Sequence, residues 1–351
     1  MSGRNAVLLG AGLATLFAGA LHFLDAEPVV TFGVAGVALA GLAWVISIAT
    51  ESVGARYGPA VTGALQSTLG NLPELFIVLF ALSAGELVVA QTSIVGSFLA
   101  NALLVLGLAI VAGARASSDG VMRFRKRLPN DIATLLLLAV FIIVILGLSN
   151  TVGDRASRHQ EAISVIGAVC LLAVYGTWLW SYLRSDQPVE PAHEGEARGA
   201  LPFRAAVVAL AAAGVTAAFV SDWFVTALDP AVDALGISKA FTGLVIVAIA
   251  GNAVENVVAV QLAWKRQNDL AISVVKNSVA QIACFLYPVL VIASLAFENR
   301  LTFVIDPVYL GALALTAIAL WQITGDGKAV LYEGLALVSL YVVLATLVWF
   351  E

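Results

Sequence analysis

Gly70–Glu74 reads Gly-Asn-Leu-Pro-Glu, and Gly251–Glu255 returns to it as Gly-Asn-Ala-Val-Glu. The difference in residue number between Gly70 and Gly251, which we call the repeat offset, also separates Ser97 from Ser278. Both copies stand inside long apolar segments, where a carboxylate costs roughly 2.5–3.5 kcal/mol on insertion scales. Two carboxylates that each follow a helix-disrupting Gly-Asn pair therefore indicate a functional site and not packing.

The composition around these motifs is that of a membrane protein. The 351 residues are 61% hydrophobic and only 12% charged, with a mean hydropathy of +0.98. Soluble domains carry about 25% charged residues, and a transmembrane barrel would show short alternating segments of about ten residues, which are not found. The sequence predicts an all-α, polytopic protein whose partner is the lipid bilayer. It has no basic domain for nucleic acid.

A membrane-spanning helix needs about 20 apolar residues, and eleven segments approach that length. The third and eighth contain the two motifs. The predicted spans are Asn5–Leu24, Val29–Ala49, Ala60–Ala84, Leu87–Gly113, Asp131–Leu148, Glu161–Leu183, Leu201–Leu228, Ser238–Trp264, Leu270–Ala296, Thr302–Thr324 and Ala329–Phe350.

An acidic stretch divides the chain into halves. We predict an extra first helix at residues 1–28, a five-helix half at 29–184, an acidic linker at 185–200 and a second five-helix half at 201–351. Most Lys and Arg residues fall on the side shared by the N-terminus and every second loop. The positive-inside rule then predicts a cytoplasmic N-terminus and linker and an external C-terminus.

This topology makes the two motifs antiparallel, because the third span enters from the cytoplasm and the eighth from outside. Inverted repeats are typical of transporters, whose sites lie near the midplane where helices are broken. Gly70, Pro73 and Gly251 are poor residues for a helix interior and predict such breaks. Freed carbonyl groups at that depth must be buried in protein or line a wet cavity.

The motifs supply oxygen ligands. Glu74 and Glu255 offer carboxylates, and Asn71 and Asn252 offer amide oxygens beside the predicted breaks. An all-oxygen set suits a hard cation such as calcium, which takes six to eight oxygens. Two carboxylates also balance a divalent charge.

The spans that follow each motif carry more polar groups. Ser93, Ser97 and Asn101 recur at every fourth position and share one helix face. Such residues also hold membrane helices together, so packing remains an alternative for the serines. The predicted supporting groups are Gln91, Ser97, Asn101, Ser278 and Gln281.

The motifs resemble those of calcium/proton exchangers in the calcium/cation antiporter superfamily. The resemblance covers nearly the whole chain, and the paired motifs are specific. The first repeat carries it in Gly70–Leu75, Gln91–Ser97 and Asn101–Gly107, and the second in Gly251–Glu255, Asp269–Ile272 and Gln281–Ala283.

The resemblance implies a secondary antiporter and not an enzyme, without a cofactor, in the cell (inner) membrane. Glu74 and Glu255 would alternately bind Ca²⁺ and protons during alternating access, and Asn71, Asn252 and the supporting groups would complete the site. Whether the chain forms a homo-oligomer is left open.

Two positions depart from the family pattern. Asn256 stands where the family has His, which would leave proton coupling to the two glutamates. Lys276 stands where the family is apolar, and its side chain would either reach the cytoplasmic interface or pair with an acidic group. These departures keep open a monovalent cation (Na⁺ or K⁺)/proton antiporter on the same fold. An intramembrane enzyme using two carboxylates is a less favoured alternative.

Overall fold

Apolar helices form nearly all of the described secondary structure. The computed structural model describes residues 3–54, 56, 69–125, 127–184 and 201–351. Within these ranges, eight helices are long and apolar enough to cross a membrane, or nine when a bent pair counts as one span. Two shorter apolar helices, Val7–Phe23 and Leu72–Ser83, add to them. The prediction of an all-α, polytopic membrane protein is confirmed.

The helices coincide with the eleven predicted spans, although the start of the third span lies outside the described residues. They are α1 Gly3–Phe23, α2 Pro28–Gly54, α3 Leu72–Ser83, α4 Leu87–Ala116, α5 Arg127–Val152, α6 Gln160–Arg184, α7 Phe203–Leu235, α8 Lys239–Gly251, α9 Ala253–Trp264, α10 Asn268–Ala296, α11 Pro307–Thr324 and α12 Leu331–Trp349. Two short strands, β1 Val121–Arg123 and β2 Lys328–Val330, pair antiparallel.

The repeat offset extends from the motifs to the helix boundaries. It leads from the start of α3 at Leu72 to the start of α9 at Ala253, and the ends of both helices keep it. The starts of α4 and α10 keep it too. Each of these two helices then passes into a π-helical segment, Ala100–Val105 in α4 and Ile282–Leu286 in α10. The repeat read from a few residues is therefore a repeat of backbone structure.

The turn between the paired helices also repeats. Gly85 has a φ of +85°, and Arg266, which the repeat offset relates to it, has a φ of +62°. Positive φ is costly for a residue with a Cβ atom and is accommodated by glycine. The Arg266 side chain donates from Nε to the Ala116 carbonyl at 2.7 Å, which offsets part of that cost.

The described chain packs as two units, each drawn from both halves of the sequence. The first contains residues up to Ala84, Gly176–Ile237 and Ala250–Val254. In it, α2 packs along α7, with Phe32 and Phe224 stacked at 4.4 Å between ring centroids. These units differ from the predicted halves, whose boundaries remain a prediction. The predicted linker at 185–200 lies outside the described residues.

The second unit contains Gly85–Tyr175, Ser238–Ile249 and Glu255–Glu351. In it, α4 and α8 cross so closely that a Cβ atom on Gly96 would meet the Leu244 carbonyl oxygen. A Cβ atom on Gly243 would likewise meet the Thr92 hydroxyl. Glycine at both positions lets the backbones touch, as small residues do in membrane helix pairs. An ion pair between Glu86 and Lys239, at 2.7 Å, joins the starts of the same two helices.

The predicted start of the tenth span, at Thr302, is wrong. Residues 297–306 form a packed loop, and α11 begins only at Pro307. Asp306 caps the helix by accepting a hydrogen bond from the Val308 backbone N–H at 3.0 Å. The loop is apolar because Leu301 and Phe303 are buried inside the unit, so hydropathy alone could not separate it from the span.

Candidate ion-binding site

The first motif forms the start of a helix. Residues Gly70 and Asn71 adopt a turn, and α3 begins at Leu72 with Asn71 as its N-cap residue. Pro73 lies in the first turn, where a missing N–H costs no helical hydrogen bond. Glu74 is in the same turn and only 1% exposed. The positive end of the helix dipole favours a carboxylate at this position.

The second motif forms a break between two helices. Helix α8 ends at Gly251, Asn252 adopts a turn, and α9 begins at Ala253, with a bend of 59° between the two helices. Glu255 lies in the first turn of α9, as Glu74 does in α3. The structure therefore has a break after Gly251, and a turn at Gly70 and Asn71 precedes the helix that contains Pro73. Breaks of this kind give each carboxylate a helix N-terminus.

The first unit brings residues of the two motifs together. A Cβ atom placed on Gly251 would lie 3.7 Å from the Glu74 Cβ atom. Asn71 and Asn252, the amides of the two motifs, are also buried in this unit. Glu74 therefore lies beside the helix break at Gly251, which comes shortly before Glu255 in the chain. A charged carboxylate removed from water requires a compensating cation, proton or hydrogen bonds.

In the second unit, α4 carries the predicted stripe. Ser97 and Asn101 are fully buried, and the Asn101 amide nitrogen donates to the Ser97 carbonyl oxygen at 3.0 Å. This bond directs the amide nitrogen to its own helix at the start of the π-helical segment. π-Helical turns occur frequently at functional sites. Ser93 instead lies at the tight crossing with Gly243, which favours packing as its role.

Helix α10 carries the corresponding polar face. Ser278 and Gln281 are buried, and neither the Ser278 hydroxyl nor the Gln281 amide nitrogen has a hydrogen-bond partner within the described residues. The same holds for the side-chain oxygen of neighbouring Asn277. Buried polar atoms are normally satisfied, so three such atoms on one face indicate a place for a polar ligand or water. Asn277 is the residue of this group that the predicted site set omitted.

A buried polar atom without a described partner also lies next to Glu255. Glu255 is half-buried in the first turn of α9, and Asn256 follows it. The Asn256 side-chain oxygen is buried and has no hydrogen-bond partner among the residues that the structure describes. An amide at this position can offer an oxygen to a cation but cannot titrate.

The Gln91 side chain contacts the loop before α11. Its amide nitrogen donates to the Val304 carbonyl oxygen at 3.1 Å, which holds the loop before α11. The described contact of Gln91 is thus with the backbone of that loop, and no sequence signal marked Val304 as its partner.

Lys276 is not at the interface. Its side chain is 2% exposed, and its ammonium donates to the Thr324 hydroxyl at 2.5 Å. The expectation that it reaches the cytoplasmic interface is wrong, because its ammonium is directed to Thr324 at the end of α11.

The sequence matches the family described as sodium/calcium exchanger protein over residues 27–183 and 205–350. The chain is a member of the sodium/calcium exchanger protein family. The resemblance inferred from the paired motifs is therefore confirmed, and both motifs lie within the matched ranges.

Several relatives within this exchanger family match along their whole length. The chain is 30% identical to the Ca²⁺/H⁺ antiporter of Aphanothece halophytica, covering 100% of this chain and 98% of the relative. It is 32% identical to the Ca²⁺/H⁺ antiporter ChaA of Bacillus subtilis, covering 97% of each.

Solved structures agree with the exchanger fold. The structure of native YfkE matches with a TM-score of 0.83 and 27% identity, over 98% of this chain and 100% of the other. The H⁺/Ca²⁺ exchanger CAX matches with a TM-score of 0.77 at 18% identity, over 97% of this chain and 87% of the other. The second likeness concerns the fold alone.

Proposed function

We propose that this chain is a secondary antiporter that exchanges calcium for protons across a membrane by alternating access. Its full-length relatives bear that activity in their names. The observation that carries the proposal for this chain is the contact of Glu74 with Gly251. It sets a buried carboxylate of the first motif at the helix break of the second.

The proposed cargo follows from the donors. Glu74 and Glu255 supply the charged oxygens, and Asn71, Asn252, Asn101, Ser97 and Ser278 supply neutral ones. Calcium accepts carboxylate, amide and backbone oxygens in a flexible arrangement of six to eight ligands. We expect the turns before α3 and α9 to add backbone oxygens that are free of helical hydrogen bonds. Gln281 completes the polar face of α10.

The proposed coupling uses the same two carboxylates. A buried carboxylate is costly as a bare charge, so each is stable either with a bound cation or with a proton. Calcium arriving on one side displaces protons, and protons arriving on the other side displace calcium. Because both ligands are carboxylates, no further titrating group is required. Exchange then results from mutually exclusive occupancy of one site.

A second candidate is a monovalent cation/proton antiporter on the same fold. The position of buried Lys276 on α10, two residues before Ser278, favours it, because a positive charge close to a cation site would disfavour a divalent cation more than a monovalent one. Uptake of calcium and of sodium under the same imposed pH gradient separates the two candidates.

We propose that the protein lies in the cell membrane, with its N-terminus in the cytoplasm and its C-terminus outside. The distribution of Lys and Arg among the loops supports this orientation. Labelling of single cysteines placed in loops of opposite predicted sides tests it.

The deciding experiment is calcium uptake into proteoliposomes under an imposed proton gradient. Glu74→Gln and Glu255→Gln are each expected to reduce uptake by about a hundredfold or more. Each variant removes a carboxylate that balances the charge of bound calcium, and leaving buried charge uncompensated costs roughly 3 kcal/mol, which corresponds to that factor. Glu161→Gln is the matched control, because Glu161 is an exposed carboxylate paired with Arg300 at 2.6 Å. Uptake unaffected in both motif variants, or absent in the wild type, contradicts the proposal.

A further inference from the structure

Three segments of the second unit carry six exposed basic residues. The segments are residues 115–125, 265–269 and 325–330, at or after the ends of α4, α9 and α11. We call the six residues the basic surface, and its members are Arg115, Arg123, Arg125, Lys265, Arg266 and Lys328. The acids of the same segments are Asp119, Asp269 and Asp326. Six cations against three anions leave a local net charge of +3, in a chain whose formal net charge is −5.

Hydrogen bonds and a strand pair hold the three segments together. The Arg266 side chain donates from Nε to the Ala116 carbonyl oxygen at 2.7 Å. The Asn268 amide nitrogen donates to the Arg123 carbonyl oxygen at 3.1 Å. Strands β1 and β2 place Arg123 opposite Lys328. The six basic residues therefore belong to one continuous surface of this unit and not to three separate loops.

Two of these cations stand opposite each other across the strand pair. Arg123 and Lys328 are both exposed, whereas Met122 and Ala329, the pair beside them, are buried. Residues directly opposite in an antiparallel pair have Cβ atoms about 4.5–5.5 Å apart, and like charges there are destabilising. Asp119 offsets part of the repulsion through its ion pair with Arg123 at 2.6 Å. A bound anion would offset more of it.

Three members of the basic surface keep their charge unpaired within the described part of the chain. Arg115, Lys265 and Lys328 are exposed, and none of them forms an ion pair with a residue that the structure describes. Arg184 in the first unit differs, because its guanidinium lies over the Trp180 ring at 4.2 Å from the centroid. The three side chains can therefore bind an anion without breaking a described contact.

Two exposed tryptophans indicate the depth of this surface in the membrane. Trp264 is the last residue of α9, directly before Lys265, and its side chain is 62% exposed. Trp321 lies in the last turn of α11 and is 57% exposed. Tryptophan is enriched at the membrane–water interface, at the level of the lipid headgroups. The basic surface therefore stands where it meets headgroup phosphates.

We propose that the basic surface binds the headgroup of an anionic phospholipid, with the phosphate between Arg123 and Lys328. Arginine suits this role, because its guanidinium can donate two parallel hydrogen bonds to a phosphate. Clusters of Lys and Arg next to membrane helices attract anionic lipids. The positive-inside rule accounts for the side on which such residues lie, but not for their convergence in three segments bound to one another. The inference does not depend on the proposed exchange activity.

The test titrates the detergent-purified full-length protein with dioleoylphosphatidylglycerol or dioleoylphosphatidylcholine and measures the bound lipid by native mass spectrometry. The variant Lys265→Gln/Lys328→Gln removes two charges that make no described ion pair. Lys265→Arg/Lys328→Arg keeps both charges. Arg155→Gln/Arg158→Gln is the matched control, because it removes two exposed charges from the loop between α5 and α6 of the same unit.

A second measurement follows the midpoint of thermal unfolding with each lipid and with inorganic phosphate at the same concentration. Unfolding without added lipid shows whether the variants fold like the wild type. Phosphatidylglycerol should raise the midpoint of the wild type, and inorganic phosphate should leave it unchanged, since a soluble anion lacks the acyl chains that hold a headgroup at the surface.

Each Lys or Arg near an anionic membrane surface strengthens binding about fivefold, so removing two should weaken phosphatidylglycerol binding at least about tenfold. Lys265→Arg/Lys328→Arg and the Arg155/Arg158 control should stay within about threefold of the wild type, and phosphatidylcholine binding should not change. Equal binding of the two lipids by the wild type overturns the proposal, as does an equal loss in the control variant. Stabilisation by inorganic phosphate as large as that by phosphatidylglycerol overturns it in favour of a soluble anion.

Discussion

The Glu74 Cβ atom lies 3.7 Å from the place that a Cβ atom would occupy on Gly251. This contact joins positions in opposite halves of the sequence and links the two copies of one motif. It leaves room for a methyl group at residue 251, and a larger side chain there would have to fit beside Glu74.

The effect of a substitution at Gly251 on calcium uptake should therefore depend on the size of the new side chain. Gly251→Ala is expected to keep most calcium uptake, since 3.7 Å is ordinary van der Waals contact. Gly251→Val is expected to lose at least about tenfold, because overpacking of roughly 1–3 kcal/mol falls on the Glu74 side chain. Proteoliposome uptake at matched protein levels measures both. Equal activity of the two variants argues against a role for this contact.

A histidine at residue 256 should change the pH dependence of exchange. Protons compete with calcium for carboxylates, so acidification on the loading side should raise the half-saturating calcium concentration. Asn256→His adds a group that titrates near neutral pH directly after Glu255. Initial uptake rates across a pH series should show the dependence displaced toward higher pH. A profile identical to that of the wild type would remove the support for coupling by two glutamates alone.

The crossing of α4 and α8 should tolerate no methyl group. Gly96→Ala directs a Cβ atom into the Leu244 carbonyl, and backbone cannot move aside as a flexible side chain can. We expect a loss of roughly 1–3 kcal/mol in stability, seen as a lower midpoint of thermal unfolding in detergent. Gly33→Ala in α2 is the matched control, because no atom lies within 4 Å of its Cβ position. The prediction fails if both variants unfold at the same temperature.

The repeated turn offers a paired test of backbone strain. Gly85→Ala places a side chain at a φ of +85° and should destabilise the protein by about 1 kcal/mol. Arg266→Gly removes strain at a φ of +62° but also the hydrogen bond to Ala116, so the two effects should largely cancel. Thermal unfolding of both variants under one set of conditions checks this. A larger loss in Arg266→Gly than in Gly85→Ala contradicts it.

Periodic and local features were predictable from the sequence. Hydropathy located the helices, and the Gly-Asn pairs located the turns before α3 and α9, because glycine and asparagine disrupt helices wherever they stand in the fold. The repeat offset, read from Gly70 and Gly251, proved to hold for whole helices. Asp306 and Pro307 mark the start of α11, but hydropathy placed that start too early because the loop before them is apolar.

The partners of buried polar groups were not predictable in the same way. Periodicity places Gln91 and Lys276 on a face of their own helix, but it does not say which element covers that face. The answers, the Val304 carbonyl and the Thr324 hydroxyl, come from residues 213 and 48 positions away.

The sequence by itself determined that this protein is a helical membrane exchanger with a carboxylate in the first turn of each of two matching helices. Composition, helix periodicity and a repeated motif are properties of the chain and survive any rearrangement of its helices. Only the tertiary structure decided that Glu74 contacts Gly251 and that Lys276 is buried against the end of α11. Such contacts depend on how helices rotate and cross, which is fixed by the packing of many side chains together.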